Sequence, residues 1–80
     1  MTPPKVEKIY KKLGKLITAR RLEMGISHSE LSHKIKMSRP AVINMEAGRQ
    51  RIMLHRVVDL DKALGYPRGY LLQKLLRESV

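Results

Sequence analysis

Residues 27–48, SHSELSHKIKMSRPAVINMEAG, hold two helix starts separated by a single tight turn. Ser27 followed three residues on by Glu30 forms a capping box, in which serine and glutamate satisfy each other's free backbone N–H groups. That predicts a helix reaching about Ile35. Ser38 is a second N-cap, and Pro40 falls in the first turn, where its missing N–H costs nothing. A helix over Arg39–Ala47 follows, ended by Gly48. Two short helices joined by three residues cross steeply, and the second projects from the body.

Working outward, Val6, Ile9, Tyr10, Leu13, Leu16 and Ile17 keep helical spacing, with Lys5, Lys8, Lys11, Lys12 and Lys15 mostly opposite. Residues 4–24 therefore read as one amphipathic helix closed by Gly25. Downstream, Leu54, Val57, Val58, Leu60 and Leu64 predict a fourth helix over Leu54–Leu64, broken by Gly65-Tyr66-Pro67. Leu71, Leu72, Leu75 and Leu76 predict a fifth over Arg68–Val80. No alternating valine- or threonine-rich run is present, so the expected fold is an all-α five-helix bundle. At 80 residues, 1–80 form a single domain.

Seventeen Lys and Arg against seven Asp and Glu leave a net charge of +10, which favours a polyanionic partner. Charge alone does not choose among DNA, RNA and an anionic membrane. No apolar stretch of signal-peptide or membrane-span length occurs, and the chain has no cysteine; a soluble protein of the reducing cytoplasm is the expectation. His28, His33 and His55 lack metal-site spacing and partners, no glycine-rich phosphate loop exists, and no carboxylate clusters beside a nucleophile. Neither an enzyme nor a cofactor is expected.

On the helix Arg39–Ala47, Ala41, Val42 and Met45 point one way. Arg39, Pro40, Ile43, Asn44 and Ala47 lie on the other side, within an arc of about 140°. Such a face fits a major groove. Arginine can contact guanine and asparagine adenine through two hydrogen bonds each, and an apolar Ile43 suits a thymine methyl. Arg39, Pro40, Ile43 and Asn44 are the candidate base readers. Ser27, His28 and Ser38 stand at helix N-termini, which favour phosphate, although each also serves as a plain cap or surface residue. Arg49 and Arg51 are candidate phosphate contacts, the alternative being a solvated loop.

Leu13-Gly14 and Ile17, Arg21 four residues before Gly25-Ile26-Ser27, then Glu30-Leu31, Ser38, Val42, Glu46, Gly48 and Lys62-Ala63-Leu64-Gly65 together resemble the helix-turn-helix family of the phage lambda repressor and Cro proteins. The resemblance runs without gaps from about Leu13 to Tyr66. It implies a charged pair between Arg21 and Glu46. Three positions depart from the family pattern: His28 stands where a phosphate-binding glutamine is usual, Lys36 where the turn usually has glycine, and Asp61 where a buried alanine is usual. Lys36 approaches a left-handed position, at a cost of about 1 kcal/mol. Asp61 needs a partner or an exposed site.

The fifth helix offers more apolar surface than one small bundle covers, so Tyr70, Leu71, Leu72, Leu75 and Leu76 are the candidate interface of a homodimer. The resulting expectation is a transcriptional regulator, most simply a repressor, docking two copies of Arg39–Ala47 into successive major-groove faces of a partly palindromic operator in double-stranded DNA. The rival is an antitoxin that neutralises a toxin partner and regulates its own promoter; a chain ending within a turn of its fifth helix offers little for that task.

Overall fold

In a computed structural model the chain folds as α1 (Pro4–Met24), α2 (His28–Ile35), α3 (Arg39–Glu46), α4 (Leu54–Ala63) and α5 (Tyr70–Ser79). The structure describes residues 4–79, with side chains from Glu7 to Arg77; the expected apolar position Val6 and the charge of Lys5 lie outside the described side chains. All regular structure among the described residues is helical, as the patterning predicts.

The apolar stripes meet in one core. Leu13 and Ile17 of α1, Leu31 and Ile35 of α2, and Val42 and Met45 of α3 are all buried there. α1 packs against both α3 and α5, while α4 packs against α2 and α5. The approach of α1 to α3 depends on Gly14: the carbonyl oxygens of Met45 and Glu46 occupy the space a Cβ there would need. At Gly48 the backbone is left-handed (φ 74°) and a Cβ would collide with the backbone of Lys11. The two glycines let the end of α3 lie directly on α1.

Both expected caps of the central pair are formed. Ser27 Oγ accepts the Glu30 N–H at 3.0 Å while Glu30 Oε1 accepts the Ser27 N–H at 3.2 Å. Ser38 Oγ accepts the Ala41 N–H at 3.2 Å. Lys36 closes α2 with φ 55° and ψ 47°, a left-handed turn made with a lysine in place of glycine, at a cost of about 1 kcal/mol. Arg56 offsets part of it by donating from Nη1 to the Ile35 carbonyl at 2.8 Å.

The fifth helix starts at Tyr70 rather than Arg68, and the reason is Asp61. Its buried carboxylate accepts the Gly69 N–H at 2.9 Å and the Leu71 N–H at 3.0 Å. Gly69, with φ 87°, breaks any earlier helical turn. The position that needed a partner thus has two, and they fix where α5 begins.

The leucine stripe divides. Leu71 and Leu75 are 0% and 5% exposed and close the monomer core, whereas Leu72 and Leu76 remain 41% and 58% exposed. Burying each of the first pair stabilises the monomer by about 2 kcal/mol, so Leu71 and Leu75 are corrected from interface to core. Tyr70 is half-buried and stacks on Tyr66, with ring centroids 4.0 Å apart.

Replacing Asp61 by alanine leaves two N–H groups at the start of α5 without acceptors. At about 1–3 kcal/mol for each unsatisfied group, thermal melts of Asp61→Ala should show a loss of about 2–6 kcal/mol.

Candidate nucleic-acid interface

The orientation of α3 is set by a carboxylate at its C-terminal end. Glu46 Oε2 accepts from Arg21 Nε at 2.7 Å and Oε1 from Arg21 Nη2 at 3.2 Å, a two-pronged pair whose side chains are only 10% and 7% exposed. Arg21 Nη1 also donates to the Ile26 carbonyl at 3.0 Å, joining α1 to the segment that leads into α2. Thr18 Oγ1 lies 2.9 Å from both Glu46 Oε1 and the Gly14 carbonyl, and its single proton serves one at a time. His28 Nε2 lies 3.0 Å from Glu46 Oε1. Burial pushes the Glu46 carboxyl up, but hydrogen bonds from Arg21, Thr18 and His28 and the charge of Arg21 outweigh it, leaving the group below its ordinary value.

With that end clamped and Val42 and Met45 buried, the opposite face of α3 turns outward. Arg39 and Pro40 are exposed, and Ile43 and Asn44 half-buried. Arg49 Nη1 donates to Asn44 Oδ1 at 3.1 Å, so Arg49 holds a candidate reader rather than standing alone in its loop. The amide keeps both N–H donors and a second lone pair on Oδ1 for a base edge. Arg51 is exposed and lines a groove with Lys11, Gly48 and Arg49 beside the end of α3. Ser27 and Ser38 use their hydroxyl oxygens as caps, and each retains an O–H to donate.

A helix-turn-helix family profile matches residues 17–71. The chain belongs to the helix-turn-helix family. No curated protein sequence matches it significantly. Among solved structures, it is similar to the restriction-modification controller protein C.Esp1396I. For the tetramer of that protein in complex with its natural 35 base-pair operator, the identity is 20%, the TM-score 0.75, and the match covers 89% of this chain and 93% of that one. For a mutant of the same protein the values are 19%, 0.75, 98% and 94%, and for the wild type 20%, 0.75, 88% and 91%. In this helix-turn-helix protein α2 and α3 are therefore the paired helices, and their family is one of DNA-binding transcription regulators.

The resemblance implied the Arg21–Glu46 pair of the helix-turn-helix, and the pair is present. Thr18 and His28, which complete it, were not foreseen as partners of Glu46. Thr18 could have been found, since it shares a face of α1 with Gly14 and Arg21 at i−4 and i+3 spacing. His28 could not, because its reach to α3 depends on how α2 crosses it. Lys11 was placed only among the lysines opposite the apolar face of α1, and the left-handed Gly48 brings it to the basic loop. Arg20 was also missed: Nε donates to the Leu64 carbonyl at 2.9 Å and the guanidinium lies 4.9 Å from the Tyr66 ring centroid.

Removing Glu46 strands a buried arginine, so Glu46→Ala should cost about 3 kcal/mol in thermal melts. In a double-mutant cycle with Arg21→Ala the losses should be clearly less than additive. The pH dependence follows from the lowered Glu46 carboxyl. The ionised network stabilises the fold fully above the ordinary value of 4.5 and loses that contribution as pH falls through the lower folded-state value. Wild-type melts below about pH 4.5 should show an acid loss that Glu46→Gln lacks.

Proposed function

We propose that the protein is a dimeric transcriptional repressor that docks α3 into the major groove of a partly palindromic operator, its own promoter being the simplest target. The observation that carries this reading is the division of α3. One face is locked by Glu46, Val42 and Met45, and the other presents Arg39, Pro40, Ile43 and Asn44 outward. A rigidly held helix keeps its readers in register with base edges, where Asn44 suits adenine and Arg39 guanine. Ser27, Ser38, Arg51 and Lys11 surround that face as phosphate contacts, with Arg49 shared between phosphate and Asn44. The operator complex of C.Esp1396I supports the same role for a chain of this fold. The antitoxin alternative finds no support among the similar proteins.

The second subunit is proposed to cover Leu72 and Leu76, the exposed part of the leucine stripe, with the edge of Tyr70 beside them. A two-fold dimer would place two α3 helices about 34 Å apart, one turn of DNA.

Binding-site selection from a random duplex pool tests the reading. Asn44→Ala should relax one base position per half-site at a cost of about 1–3 kcal/mol, and Arg39→Ala a different position. Unchanged preferences in both variants would remove α3 as the reader. Affinity should fall with salt at a log-log slope of roughly −5 to −9, as expected when a dimer displaces about 6–10 counterions. Leu72→Glu with Leu76→Glu should give monomers by sedimentation, and specific affinity should fall far more than non-specific.

A further inference from the structure

We propose that His28 donates a hydrogen bond to the DNA backbone only in its imidazolium form, so that affinity for the operator rises as pH falls. The proposal rests on the DNA-binding reading above and concerns the chemistry of one contact within it.

The geometry begins at Glu46. Its carboxylate can only accept hydrogen bonds, so the ring nitrogen facing it at 3.0 Å, His28 Nε2, carries hydrogen. A neutral imidazole has one N–H. Once that is given to Glu46, Nδ1 is a bare lone pair. Nδ1 has no protein partner, and no buried side-chain nitrogen among the described residues lacks one, so Nδ1 opens to solvent; the side chain as a whole is 29% exposed.

A phosphate oxygen is also acceptor-only. Neutral His28, with its one N–H given to Glu46, offers a phosphate oxygen only a lone pair, and no direct hydrogen bond forms between two acceptors. Protonation at Nδ1 changes this without moving the ring. Nε2 keeps its bond to Glu46 while Nδ1–H donates to phosphate, now charge-assisted. A glutamine at this position would donate with no proton taken up, which makes the choice of histidine chemically consequential.

Charged groups face the ring from three helices. From α3 it is Glu46, whose Oε1 lies 3.0 Å from Nε2. From α1 it is Arg21, whose guanidinium is already matched on the same carboxylate. On α2 itself Glu30 is held by the Ser27 N–H. The other two histidines, His33 on α2 and His55 on α4, are exposed and form no ion pair among the described residues, so they serve as internal controls.

The test measures affinity for a selected operator duplex by fluorescence anisotropy between about pH 5.5 and pH 8 at fixed ionic strength, above the range in which Glu46 titrates. Per protomer, affinity should be about ten-fold higher at the acidic end, the scale of one charge-assisted hydrogen bond. His28→Gln should bind with a flat profile, while His33→Gln and His55→Gln keep the wild-type profile. Calorimetry on the wild type in two buffers of different ionisation heat should show proton uptake on binding. That result needs no variant to fold. Binding without proton uptake, or a pH profile unchanged in His28→Gln, would overturn the proposal and leave the DNA-binding reading standing. No wild-type binding to any duplex at any pH would instead overturn that reading.

Discussion

The buried carboxylate of Glu46 is the constraint on which the rest of the molecule turns. It sits at the end of α3, yet its partners come from α1 and from the first residue of α2, so one side chain fixes three helices at once. The arrangement is possible only because Gly14 has no side chain and lets the α3 carbonyls rest on α1. The cost of burying this charge is met by donors on both oxygens, including the two-pronged guanidinium, a geometry for which lysine is no substitute. A buried pair of this kind contributes less to net stability than to uniqueness. Here the unique quantity is the direction in which α3 projects.

Much of this was legible in the sequence, and the reasons differ by element. Ser27 with Glu30, and Ser38 with Pro40, are local signals whose physics is complete within four residues, so the starts of α2 and α3 could be placed without tertiary information. The fifth helix could not be placed as well, because Asp61, eight residues before Gly69, supplies the acceptor that starts it. A carboxylate where the family usually buries an alanine called for a partner or an exposed site, but did not say which partner.

The leucine stripe shows a different limit. Leu71 and Leu75 form one i, i+4 pair and Leu72 and Leu76 another, rotated by about 100°. Sequence alone gives both pairs equal claim to the core. The packing of α5 against α1 and α4 decides between them. The two faces of α3 were easier to tell apart, since the buried Val42 and Met45 are apolar while Arg39 and Asn44 are not. What polarity could not reveal was that Arg49 reaches back to hold Asn44 before any ligand arrives. Part of the ordering that the proposed base contact would require is already present without DNA.

Asp61 has a mechanical meaning beyond its hydrogen bonds. By binding Gly69 and Leu71 it welds the root of α5 to α4, and α5 carries the surface through which a second subunit would be held. In an assembly built on that helix, the joint at Asp61 acts as the elbow of a lever whose far end is α3. A small tilt at the elbow becomes a larger displacement at the tip, in a molecule 31 Å along its longest axis. The pitch of DNA is fixed, so the stiffness of this joint, together with the packing of α1 on α5 and α3, would set how much variation in half-site spacing such an assembly tolerates.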